Sequence, residues 1–148
     1  MKSNIKPDGY FLLLLSLSVL FHFVFPILQI IPQPYSYFGI VFLVTGFIVV
    51  YISNKILTEQ KTSIQPFETP DKLVSNGTFR YSRNPIYLGM TLALLGISVL
   101  LGSLTAFLPT SIFWGIMNFK IIPSEEKILE KTFGNSFTAY KSNVRRWI

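Results

Sequence analysis

Residues 85–119 read PIYLGMTLALLGISVLLGSLTAFLPTSIFWGIMNF, a stretch with no Asp, Glu, Lys or Arg in it. The Gly102-Ser103 pair divides it into two apolar halves of about 17 residues each, near the short limit for a helix that crosses the hydrocarbon of a bilayer. That pattern predicts a hairpin of two spans with its tip at the far interface. Toward the N-terminus, a second uncharged run covers 35–54 and is closed by Lys55. An earlier one covers 10–31 and ends at the helix breakers of Pro32-Gln33-Pro34. Lys2 and Lys6 precede this first run as they would in a signal peptide, but the apolar part is long and no Ala-x-Ala-like site follows it. It is read as a retained span. The expected fold is all-α: an integral membrane bundle of about four transmembrane helices, one cytoplasmic loop and a C-terminal amphipathic helix, in a single domain over 1–148.

The composition agrees. Half of the 148 residues are hydrophobic and 14% are charged, an apolar excess beyond the usual soluble balance that leaves no room for a separate soluble catalytic domain. The absence of cysteine excludes disulfide scaffolds, thiolate metal sites and a cysteine nucleophile, and the single histidine, His22, leaves no His-rich metal site. The net charge of +6 could suggest nucleic acid. All the cations, however, fall outside the four runs: Lys2 and Lys6 before the first, Lys55, Lys61, Lys72, Arg80 and Arg83 between the second and third, and Lys120, Lys127, Lys131, Lys141, Arg145 and Arg146 after the fourth. With four spans these groups share one side, and the positive-inside rule makes that side cytoplasmic, both termini included. The charge is a topology signal, and nucleic acid is not an expected partner.

Between the second and third spans, Thr58 to Asn84 is polar and holds Pro66, Pro70 and Asn76-Gly77, an irregular loop along the membrane surface. It leads into Arg80-Tyr81-Ser82-Arg83-Asn84-Pro85, where Asn84 suits an N-cap and Pro85 the first helical position. A helix N-terminus flanked by Arg80 and Arg83 can hold a carboxylate or phosphate, although two arginines and a tyrosine also serve as plain interfacial anchors. Pro123-Ser124-Glu125-Glu126 follows the fourth span. Because the hairpin goes out and returns, it brings Glu125 and Glu126 to the membrane face that carries Arg83 and Asn84. A short helix is expected from Ser124 to Phe133 with Gly134 as its C-cap. Phe137, Tyr140, Val144 and Trp147, interleaved with Lys141, Arg145 and Arg146, make a stripe suited to a helix lying at the headgroups.

These residues resemble the superfamily of isoprenylcysteine carboxyl methyltransferases and phospholipid methyltransferases, small integral-membrane enzymes that use S-adenosylmethionine. The likeness rests on Gly77-Thr78-Phe79-Arg80-Tyr81-Ser82-Arg83-Asn84-Pro85-Ile86-Tyr87-Leu88-Gly89, on Pro123-Ser124-Glu125-Glu126 after the hairpin, and on Phe133-Gly134 with Phe137 and Tyr140. It covers about 63–148; the part before it matches only as two apolar spans. Asn84 stands where the superfamily usually has histidine, so a role needing a titrating imidazole does not carry over.

The resemblance implies S-adenosylmethionine in a cytoplasm-facing pocket, with Asn84, Pro85, Tyr87, Leu88 and Gly89 on one wall and Glu125 and Glu126 on the other. It implies a lipid-like or membrane-soluble acceptor, of the prenylcysteine carboxylate or phospholipid amine type. Arg83 and Glu126 are the expected catalytic pair, and Arg80 and Arg83 the expected contacts to the acceptor. Methyl transfer from a sulfonium needs alignment and exclusion of water rather than a metal or a covalent enzyme intermediate. Gly89, Ala93 and Gly96 have a second reading as a small-residue packing seam, preferred for the latter two. His22 is expected to pack or hydrogen-bond. The rival reading of the whole chain is a non-catalytic four-span scaffold or small transporter. Against transport, the four runs carry no ionisable carboxylate. No Gly-x-Gly supports a Rossmann-type site.

Overall fold

The computed structural model describes residues 6–62 and 69–148, and Lys2 and Pro66 fall outside them. Six α-helices follow in order among the described residues: α1 (Pro7–Val24), α2 (Gly39–Glu59), α3 (Pro85–Leu101), α4 (Leu104–Ile116), α5 (Ile122–Phe133) and α6 (Asn135–Asn143). No strand occurs among these residues, and the expected all-helical bundle is the fold observed.

Helix α1 begins at Pro7, whose missing N–H is no loss at a first helical position, and it ends before Pro26, well short of the expected Ile31. Apolarity alone cannot show this stop, because the run stays uncharged past it. Residues 25–31 are instead pinned to the turn between α3 and α4. The N–H groups of Ile30 and Ile31 donate to Gly102 C=O at 2.9 and 3.1 Å, and Leu104 N–H donates to Leu28 C=O at 3.0 Å. The Gln29 amide donates to the carbonyls of Leu101 and Ile31. Irregular backbone at membrane depth needs such internal partners. Gly102 sits at φ +72°, a left-handed conformation that closes α3 and starts the tight return.

Helix α2, entered through a 3-10 turn at Tyr35–Phe38, runs past Lys55 to Glu59. It lies against α3 through facing glycines, Gly39 to Gly96 and Gly46 to Gly89, with Ala93 between them. On the other side α1 packs against α4. There Ser18 and Ser98 both donate to the Ala106 carbonyl at 2.7 Å, and Ser98 pairs with Thr110 at 2.9 Å. The core between the layers is Leu14, Tyr87, Leu94, Phe113, Met117, Ile121 and Ile122. Outward, Leu13, Leu20 and Phe23 of α1 and Val41, Phe47 and Tyr51 of α2 are exposed. Such an apolar exterior is far more than a water-facing monomer carries and suits lipid tails. By length and apolarity α1 and Tyr35–Glu59 can cross a membrane, while α3 is shorter at 17 residues.

The expected break before Ser124 is absent. Helix α4 passes into α5 through one π turn, Met117–Ile121, in which Ile122 N–H reaches Met117 C=O. Pro123 accounts for it: the ring has no N–H for Phe119 C=O and crowds that carbonyl, so the ladder slips by one residue and continues. The C-terminal helix forms as α6 after Gly134 but is shorter than the stripe implied, because Val144 is extended. Phe137 is buried, and Trp147 is turned back onto Trp114 with ring centroids 6.2 Å apart. The stripe therefore faces the bundle.

Candidate active site

The two clusters expected to meet do so. Arg83 Nη2 lies 3.1 Å from Glu126 Oε1, and both side chains are nearly buried, at 9% and 10% exposure. Tyr87, one turn into α3, donates its hydroxyl to Glu125 Oε1 at 2.6 Å. The π turn and α5 present Glu125 to Tyr87 and Glu126 to Arg83 from adjacent positions. Burial pushes the Glu125 carboxyl up to about 7, opposed by the Tyr87 hydrogen bond.

Asn84 occupies the N-cap position without capping through its side chain. Its Nδ2 donates instead to the Arg146 carbonyl at 3.0 Å, which corrects the expected role in helix capping. The first helical bond of α3 runs from Leu88 N–H to Asn84 C=O, so the N–H groups of Ile86 and Tyr87 precede the ladder. Pro85 is buried, Leu88 is partly exposed, and Arg80 is exposed at the end of the 3-10 turn Gly77–Arg80. Gly89 belongs to the glycine seam: a Cβ there would lie 2.7 Å from Gly46 O, so its small size serves contact with α2. His22 is paired with Ser103 Oγ at 2.9 Å at the opposite end of the bundle, in line with the packing role expected of it.

The C-terminal strap, 144–148, supplies the residues that sequence reading missed. Arg146 grips Glu126 with two bonds, Nη2 to Oε2 at 2.9 Å and Nε to Oε1 at 3.3 Å. Its Nη1 reaches Asn118 on the π turn at 3.4 Å. Trp147 Nε1 donates to Asn118 Oδ1 at 3.1 Å. The strap's carbonyls accept from the start of α3: Arg83 N–H to Arg145 at 3.0 Å and Ser82 Oγ to Arg146 at 3.3 Å, besides Asn84. Lys141 stands 3.9 Å from Glu126 and 2.8 Å from Glu130. Tyr140 donates to Phe79 C=O at 2.6 Å, and burial raises its hydroxyl to about 12 against the pull of Arg83, so it stays a donor at neutral pH. The one signal in the sequence for this strap was the place of Arg145, Arg146 and Trp147 at the end of the C-terminal stripe.

Glu126 thus faces three cations, while Arg83 Nε is buried without an acceptor among the described residues. A buried donor left open is costly and points to an anionic or carbonyl group that belongs there. Beside it, Glu125 offers an acceptor for hydroxyl or ammonium groups and the first turn of α3 offers N–H donors. A zwitterionic cofactor carrying a sugar needs this mixture. Among the described residues, no group of His, Cys, Asp and Glu is arranged to hold a metal ion.

A family model described as phospholipid methyltransferase matches residues 35–136. An uncharacterized protein of Haemophilus influenzae is 40% identical over 63 residues, which is 43% of this chain and the whole of that protein. No solved structure matches the chain.

Proposed function

From the chain's membership of the phospholipid methyltransferase family, a family of membrane methyltransferases, we propose that it binds S-adenosylmethionine beside the start of α3 and transfers its methyl group to a lipid-like or membrane-soluble acceptor. The observation that carries this reading is the pairing of Arg83 and Tyr87 with Glu126 and Glu125 across the ends of one hairpin, with Arg83 Nε buried and without an acceptor among the described residues.

Asn84, Pro85, Tyr87, Leu88 and Gly89 form the α3 wall of the site, with Gly89 contributing backbone only, since its Cα faces α2. Glu125 accepts from hydroxyl or ammonium groups, and the first-turn N–H groups of α3 receive a carboxylate. Glu126 forms the rest of the acidic wall and holds the Arg83 guanidinium in place. Arg83 Nε then meets the anionic or carbonyl oxygen of the acceptor, and exposed Arg80 attracts its headgroup. When bound, the cofactor would supply an electrophilic methyl on a sulfonium, with a neutral thioether as leaving group. The protein's work is alignment and exclusion of water. The one-sided cations further support a cytoplasm-facing site.

Calorimetric titration of the detergent-purified protein with S-adenosylmethionine tests the reading and separates it from a scaffold. Saturable binding is expected, weakened about tenfold or more in Glu126→Gln through loss of charge-assisted hydrogen bonds. No binding to the wild-type protein, or wild-type affinity in both Glu126→Gln and Glu125→Gln, refutes it.

A further inference from the structure

We propose that Arg146 is a positioning residue of this site: its two-pronged grip on Glu126 clamps the C-terminal strap across the start of α3 and so holds both walls of the cofactor pocket in register. The inference rests on the proposed reading of the site and goes beyond it by placing the last residues of the chain in its construction.

Three observations converge. First, Arg146 is the only residue whose side chain bridges Glu126 on α5 and Asn118 on the π turn, among the described residues. Second, its own carbonyl accepts from Asn84 Nδ2 and Ser82 Oγ, and the preceding carbonyl accepts from Arg83 N–H. One residue therefore ties α3 by its backbone and α5 by its side chain. Third, Trp147 seals the strap, stacked on Trp114 and bonded to Asn118. Without the grip, Glu126 keeps Arg83 and the more distant Lys141, while the strap carbonyls that fix Asn84 and Arg83 lose their anchor on α5. A fork of parallel bonds sets an orientation that a single ammonium does not.

The clamp predicts coupling. Arg146→Gln and Glu126→Gln break one and the same link, so their effects should overlap, whereas independent structural damage would multiply. The chain has two tryptophans, Trp114 and Trp147, so its whole tryptophan emission reports the strap's seat. Full-length wild type, Arg146→Gln, Arg146→Lys, Glu126→Gln and the double variant Arg146→Gln/Glu126→Gln are titrated with S-adenosylmethionine by calorimetry, with tryptophan emission recorded in parallel. Arg146→Gln is expected to bind about tenfold more weakly with altered emission, Arg146→Lys to recover about a third of that factor, and the double variant to be within about twofold of the worse single variant. Wild-type affinity in Arg146→Gln, or multiplying effects in the double variant, overturns the inference and leaves the proposed function standing. If Arg146→Gln does not fold, wild-type affinity in Arg146→Lys overturns it instead. Absence of binding in the wild type overturns the functional reading, and the clamp with it.

Discussion

Glu125 holds its proton near neutrality because its carboxyl is withdrawn from water with only the Tyr87 hydroxyl to stabilise the charge. Its folded value of about 7 lies above the ordinary carboxyl range, so the folded state binds the extra proton between the two. Stability should fall as pH rises through that window, with the full cost of burying the charge present above about pH 7. Cofactor binding should respond in the opposite sense, since the ionised carboxylate is the better acceptor. Affinity for S-adenosylmethionine is expected to rise from about pH 6 to about pH 8 in the wild type and to be flat in Glu125→Gln, measured by calorimetry; a rise that survives in Glu125→Gln would assign the titration to another group. Arg83, Glu125 and Glu126 were legible in the sequence because each lies within three residues of a proline in the first turn of a helix, and the hairpin length fixes their meeting. Arg146, Asn118 and Trp147 were not. Their ties to one another and to Glu126 join residues that are 20 or more positions apart, and the tie from Asn84 spans 62. A helical spacing of aromatics said nothing of a chain that turns extended at Val144.

The pairing of α2 with α3 depends on residues that lack side chains. A Cβ at Gly46 would lie 2.5 Å from Gly89 O and 2.6 Å from Ala93 N, both backbone atoms that cannot swing aside. Gly46→Ala is therefore expected to pry the helices apart at a cost of about 1–3 kcal/mol, seen as earlier thermal unfolding in detergent. Gly115 on α4 is the control: a Cβ there meets nothing within 4 Å, and Gly115→Ala should be neutral or stabilising by up to about 1 kcal/mol through helix propensity. Equal effects of the two substitutions would remove the seam from the account. The seam bears on the site directly, since the helix it locks begins at Asn84 and Pro85. At this scale the four apolar runs and the start of α3 were readable, because charge and proline mark them. The stop of α1 before Pro26 and the π turn before Pro123 were not, because both depend on how freed carbonyls find other partners.

In the molecule overall, the charged side chains of the described residues gather at one end. From Gly9 to Asn54 and from Asn84 to Phe119 the chain carries no Asp, Glu, Lys or Arg, and the far end holds neutral groups, among them the pairing of residues 28–31 with the Gly102 turn, Thr105 and His22. The site, with Arg83, Glu125, Glu126, Lys141 and Arg146, lies at the other end. The positive-inside rule predicts a cytoplasmic charged end for a bundle of this asymmetry, since translocation of lysine and arginine is avoided. The four helices between the ends suit that placement: α3 at 17 residues is about 26 Å long, close to the hydrocarbon thickness. Since the chain has no cysteine, one introduced thiol at a time reports its side of the membrane. Gln33 and Lys127 are both exposed, the first beyond the end of α1 and the second on α5 beside the site. In intact cells treated with a membrane-impermeant maleimide, Gln33→Cys should be labelled at once, and Lys127→Cys only after permeabilisation. Labelling of both from the same side would require an even number of crossings between them. The site would then no longer share a face with the N-terminus, and the four-span placement would be replaced by one in which an even number of the helices α2, α3 and α4 cross.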